Sequence, residues 1–180
     1  MNTELISLGR KPMIRGTFQL TDHHGTAVTN STYQGRWVLI FFGFTHCQAI
    51  CPRALARLSR VLQILGPLAD QIQPLYITVD PERDTPEVMK AYLQDRAPRF
   101  LGLTGSPAKI EEAKRAFRVF AQRKIDPEAP NGYTIPHTAI TYVLRPDGNY
   151  AAHFTDALDE TELAQRLRSL ITSTTNSVEA

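Results

Sequence analysis

The chain places its only two cysteines, Cys47 and Cys51, within one short stretch, FTHCQAICP. Thiols so close can join as a disulfide, exchange with a partner's disulfide, or hold a soft metal ion. A disulfide framework is excluded, because one pair cannot staple a chain of 180 residues. The value of the pair must be local. Structural zinc wants four protein ligands, usually from two tight Cys/His pairs, and no second pair exists here. Copper(I) is soft and accepts few ligands, so two thiolates and one imidazole suffice. The bland alternative is two inert buried cysteines. It fits poorly with a pair set between an apolar run and a helix start.

Residues 37–42 (WVLIFF) form a continuous apolar run, the mark of a central strand buried on both faces. Pro52 suits a first helical turn, and Leu55, Leu58, Val61, Leu62 and Leu65 recur at helical spacing until Gly66-Pro67. The cysteines therefore stand where a buried strand gives way to a helix. Free N–H groups and the positive helix end favour thiolate there, at Cys47 most. If that turn is helical, thiols four apart project from one face.

The remaining elements follow from pattern. Residues 15–20 and 26–28 read as an N-terminal hairpin, and residues 74–79 as a second strand ending at Asp80-Pro81. Thr85-Pro86 and Ser106-Pro107 each place a hydroxyl cap before a first-turn proline, opening two helices around a short strand at 100–103. Residues 121–136 are polar and proline-rich, an exposed loop. Residues 138–144 and 149–154 bracket PDGN as a hairpin, and Leu163, Leu167, Leu170 and Ile171 mark a closing helix. The chain divides into an N-terminal segment (1–14), one domain (15–172) and a flexible tail (173–180). Strand–helix alternation means an α/β fold. The expected architecture is a thioredoxin-like mixed sheet flanked by helices, with an added N-terminal β-hairpin and a central insertion.

A net charge of +2, with no basic stripe, argues against nucleic acid as a partner. The longest apolar runs are too short to cross a bilayer, and the first residues lack the apolar core of a signal peptide. Of five histidines, His23 and His24 fall in a turn, His153 alternates within a strand, and His46 points away from its neighbour's thiol. His137 opens the apolar strand ITYVL. In a thioredoxin-like sheet that strand lies beside the cysteine-bearing one, so its start comes near the thiol turn. In VDPERDTP, Glu82, Arg83 and Asp84 read as solvated, while Tyr76 and Tyr92 read as core. Arg118, Arg123 and Lys124 read as a solvated face, with a modest basic patch for an acidic partner as the alternative.

The blocks FFGFTHCxxxCP, YITVDPERDTP, FLGLTG and HTAITYVLRPDG, in that order, resemble the Sco/SenC family of copper-binding, thioredoxin-fold proteins. The resemblance implies assembly of the dinuclear copper centre of cytochrome c oxidase, as copper chaperone, thiol reductant, or both. It implies Cys47, Cys51 and His137 as copper ligands and Asp80 as an outer-shell group, against a plain turn cap for Asp80. The implied partner is the oxidase's copper subunit or a thiol protein, met by a monomer outside the cytoplasm. The chain as written carries no signal or anchor, so a cytoplasmic or truncated form is the other expectation. The same cysteines also suit a thiol–disulfide oxidoreductase, Cys47 attacking and Cys51 resolving, or a copper-linked redox sensor. Two departures carry weight, and the second leans toward thiol exchange. Gln48-Ala49 replace a common Pro-Asp, and Pro136 stands where thiol oxidoreductases carry a cis-proline, making Ile135–Pro136 a candidate cis bond. The loop 121–136 is expected to let His137 swing away during copper transfer.

Overall fold

The computed structural model describes residues 13–175. The hairpin of β1 (Gln19–Asp22) and β2 (Ala27–Thr29) turns on Asp22, whose carboxylate accepts the backbone N–H of His24 and Thr26 at 2.8 and 3.0 Å. Strand β3 (Trp37–Gly43) leads into α1 (Ile50–Leu65), and β4 (Ile72–Thr78) into α2 (Pro86–Arg96). Strand β5 (Leu101–Thr104) leads into α3 (Pro107–Phe117). The hydroxyls of Thr85 and Ser106 accept the N–H groups of Val88 and Lys109, so both proline-opened helices start as the sequence expects. A small ribbon, β6 (Lys124–Ile125) and β7 (Tyr133–Thr134), precedes the hairpin of β8 (Ile140–Leu144) and β9 (Tyr150–Thr155). Helix α4 (Glu160–Thr175) closes the described chain. The expectations for residues 1–12 and 176–180 lie outside the described residues.

Seven strands form one sheet in the order β2-β1-β5-β4-β3-β8-β9, parallel through β5, β4 and β3 and antiparallel elsewhere. Every residue of β3 is buried, as its unbroken apolar run requires. Side chains alternate along a strand, so Phe41 and Phe42 face opposite ways. Phe42 meets Phe117 of α3 at 5.4 Å between ring centres. Phe41 stacks on Tyr76 at 6.2 Å, and Tyr76 on Tyr92 of α2 at 6.1 Å. Helices thus cover both faces, with α1 packed against α2 and α4.

Two features differ from the sequence expectation. Residues 121–136 are not a free loop: Lys124 pairs with Thr134 and Ile125 with Tyr133, and the base closes through an Ala121–His137 bridge. Polar composition hid a ribbon whose partners are main-chain groups. Ile135–Pro136 is trans; the described residues contain no cis peptide bond. The resemblance to a cis-proline loop therefore stops at residue type.

Candidate metal centre

The site is assembled where β3 ends. A side chain at Gly43 would put its Cβ 2.8 Å from Cys51 Sγ and 2.8 Å from a Tyr76 ring carbon, so only glycine lets α1 start this close. The chain then turns tightly, with Cys47 N–H donating to Phe44 O at 3.2 Å. Helix α1 has no conventional side-chain cap. Cys47 lies before the helix rather than within it, and its Sγ accepts the Cys51 N–H at 3.5 Å. The two sulfurs meet because one lies over the helix N-terminus and the other in its first turn, not through helical periodicity.

The third donor arrives by sheet register. Strands β3 and β8 run antiparallel with Phe41 opposite Thr141, which brings the start of β8 to the end of β3. His137 Nε2 then lies 3.3 Å from Cys51 Sγ across 86 residues of chain. Its Nδ1 faces Thr138 O at 3.2 Å, a partner for N–H that leaves the Nε2 lone pair for the site. The rings of Phe41 and Phe44 stand edge-on to the imidazole at 6.1 and 5.9 Å. The ligand atoms of Cys47, Cys51 and His137 lie within 4.8 Å of one another. Cys51 is fully buried, whereas Cys47 and His137 keep partial exposure, so the set is open on one side. Two sulfurs and one imidazole nitrogen, with no carboxylate among them, suit a soft monovalent ion.

The sulfurs are unequal. A hydrogen bond with Cys51, aided by His137 and backbone N–H groups, outweighs burial and lowers the Cys47 thiol to about 3. Sharing that hydrogen bond with Cys47, together with burial, holds Cys51 far above the ordinary thiol range; Tyr76 opposes this weakly. At neutral pH the pair is one accessible thiolate and one buried thiol.

Asp80 is not among these three residues. It groups with His46 and Asp84, whose ligand atoms also lie within 4.8 Å of one another. These carboxylates are already engaged. Asp84 accepts the Thr45 N–H (3.0 Å), the Thr45 hydroxyl (2.5 Å) and the Thr78 hydroxyl (2.6 Å). Asp80 pairs with Arg83 and accepts the Tyr133 hydroxyl at 3.0 Å. Arg83 donates to Pro130 O at 2.8 Å, lies 3.8 Å over the Tyr133 ring and 5.9 Å from that of Phe44. The expectation that Arg83 and Asp84 are solvated is therefore wrong: Asp84 is fully buried and Arg83 only 9% exposed. Charges in a turn read as solvated until their tertiary partners are known. Glu82 is exposed and pairs with Arg123 at 2.7 Å. His23 accepts the Gly102 N–H at 3.1 Å, a structural role, while His24 and His153 are exposed.

A mixed sheet with a Cys-x-x-x-Cys turn after β3 and a histidine just ahead of the adjoining strand β8 defines a thioredoxin-like protein with a Cys2His cluster. Residues 7–172 match the SCO1/SenC family, and the chain belongs to that family. It is 40% identical over 158 residues to the mitochondrial SCO2 homolog of Danio rerio, covering 86% of this chain and 56% of that protein. The chain thus spans little more than half the length of that curated relative. Its fold matches Arabidopsis thaliana ScoI with copper bound at a TM-score of 0.83 and 31% identity, covering 89% of this chain and 99% of that one. Bradyrhizobium japonicum ScoI with copper bound matches at a TM-score of 0.78 and 41% identity, covering 88% and 99%.

Proposed function

We propose that residues 15–172 carry copper(I) as cargo between Cys47, Cys51 and His137, outside the cytoplasm, and pass it to the dinuclear copper centre of cytochrome c oxidase. The observation that carries this is the meeting of three soft donors from chain positions 86 residues apart, with Nε2 left free to ligate. The copper-bound ScoI proteins at 31% and 41% identity support the choice of ion. The half-exposed Cys47 is the sulfur a partner's thiolate reaches first, and buried Cys51 is the last to release. Asp80 acts from outside the ligand set. Its bonds to Arg83 and Tyr133 pin the β6–β7 ribbon, and that ribbon ends at His137. Withdrawal of His137 has to break the Ala121 bridge and the 2.9 Å bond from Thr138 N–H to Phe120 O.

Anaerobic titration against a chromophoric copper(I) competitor is expected to show one tight site, weakened at least tenfold by His137→Ala on the scale of lost metal-site groups. Unchanged affinity in that variant removes His137 from the site.

The inequality of the two sulfurs favours thiol exchange as a second reading. The Cys47 thiolate attacks a partner's disulfide and displaces one partner sulfur as thiolate. Cys51 then gives its proton to the displaced partner thiolate and attacks Cys47 Sγ, which releases the second partner sulfur as thiolate and leaves this chain oxidised and the partner reduced. Cys51→Ser should trap a mixed disulfide on Cys47; its absence with every offered disulfide counts against this reading.

A further inference from the structure

Beside the thiol site a cleft runs between α1 and the start of β8. Ala139 and Thr141, just past His137 in the chain, form one wall. The other wall is Ile50, Arg53, Ala54 and Arg57, whose spacing of three, four and seven residues places them on one stripe of α1. That stripe is not the one the core uses, which runs through Cys51, Leu55 and Leu58. Phe41 at the cleft also stands edge-on to the His137 imidazole at 6.1 Å, so cleft and site adjoin. Ile50 keeps 46% of its surface exposed, an aliphatic side chain this fold does not cover. The volume is about 250 Å³; with a water taking about 30 Å³, one side chain and part of its neighbour fit, and a cofactor does not. The charges are uneven. Arg57 is tied to the carbonyl of Leu158, but the Arg53 guanidinium has no hydrogen-bond or ion-pair partner among the described residues. Asp156 is the one carboxylate at the cleft, against two guanidiniums.

We propose that this cleft docks an acidic segment of the partner protein: a carboxylate of that segment pairs with Arg53, and an aliphatic side chain next to it lies on Ile50, Ala54 and Ala139. The occupant follows from charge and size. A basic segment is repelled by the unneutralised guanidinium, and a wholly apolar one covers that cation without compensating it. An exposed ion pair by itself binds weakly. The apolar walls therefore supply most of the attraction, and the charge selects what enters. Cys47 and His137 do not line the cleft, so a docked segment leaves them free for the group its own protein presents. Only the identity of that group rests on the proposed function; docking needs neither metal nor thiol chemistry.

The test uses isotopically labelled, metal-free protein at physiological ionic strength, titrated with acetyl-Gly-Glu-Leu-Gly-amide and read by amide chemical shifts. Saturable binding with a dissociation constant of about 1 mM is expected, its shifts concentrated in residues 50–57 and 139–141. The same peptide with Lys in place of Glu should not bind. Arg53→Glu should weaken binding about fivefold, the scale of an exposed ion pair. Ala54→Leu fills the cleft without changing its charge and should weaken binding by a similar factor. Arg60→Glu reverses an exposed charge further along α1, one that pairs with Glu160 at 3.6 Å, and should change affinity by less than about twofold because salt screens it. No saturable shift below about 10 mM, a lysine peptide that binds as tightly, or equal losses in Arg53→Glu and Arg60→Glu overturns the assignment. So does unchanged affinity in Ala54→Leu; if that variant melts lower than the unaltered protein, the two arginine variants decide. Copper(I) titration of the unaltered protein tests the cargo reading separately. If copper does not bind but the acidic peptide does, the proposed function fails and the docking assignment stands.

Discussion

Two clusters a few residues apart each bring three metal-binding side chains within 4.8 Å, and they are built in opposite ways. Around Asp84 and Asp80 every strong acceptor is taken: three donors converge on one carboxylate, and a guanidinium and a phenol engage the other. Around Cys47, Cys51 and His137 the donors are few and weak, and the imidazole is turned by its far nitrogen. Proximity of ligand atoms therefore does not make a metal site. What matters is whether lone pairs remain unspoken for, and the carboxylate cluster is a clamp whose product is the position of the thiol cluster. Asp84 ties Thr45, which leads into Cys47, to Thr78 at the end of β4, while its own carbonyl takes the Thr104 hydroxyl at 2.8 Å. Asp80 ties the same corner to the ribbon that ends at His137.

The contrast can be broken at four points. The largest effect is expected from Cys51→Ser: an alcohol is no soft ligand, so the copper(I) competitor should retain the ion and the tight site disappear. Retention of a tight site would show that other donors hold the metal. Asp84→Ala should act on the fold. Loss of its bonds and the orphaning of buried hydroxyls cost roughly 3 kcal/mol, a fall in melting temperature of about 6–12 °C for a chain of this size. Copper(I) affinity of the folded fraction should change less than about tenfold; abolished binding without a stability loss would make Asp84 part of the metal site. Asp80→Asn should lie between, weakening copper(I) by about 10–100-fold through the ribbon and His137. Circular dichroism should show the fold intact.

The smallest effect is a slope that stays flat. With Cys47 lowered to about 3, its alkylation rate in the reduced, metal-free protein should hardly change between about pH 5 and pH 8, where an ordinary thiol gains about tenfold per unit. The sign for stability follows from the same shift. A thiol depressed on folding stabilises fully above its unfolded range near 9.0, and that contribution is lost as pH falls toward 3. The stability gap between the reduced protein and Cys47→Ser should therefore shrink on acidification through that window. A gap that widens reverses the assigned shift.

Much of the site was legible from spacing. The unbroken run 37–42 marks a strand buried on both faces, and the cysteines follow it where a helix begins. His137 could be singled out because it precedes an apolar strand. The errors have a common cause. Arg83 and Asp84 sit in a turn whose composition is that of a solvated one, and their burial depends on Tyr133, Pro130, Thr45 and Thr78, which belong to other segments. Tyr76 was rightly read as core, but nothing in its neighbours indicates that its hydroxyl and the Cys51 sulfur border the same space over Gly43.

By itself the chain determined the order of the main-sheet strands and their helices, the thiol pair at a strand–helix junction and the helix starts at Thr85 and Ser106. These rest on periods of two and 3.6 residues and on caps that act within a turn. Only the tertiary structure decided that Cys47 caps the helix holding Cys51, that two carboxylates are locked while two sulfurs stay available, and that a phenol stands behind one of them. Those outcomes depend on the register between β3, β4 and β8, which pairs residues dozens of positions apart and leaves no local trace.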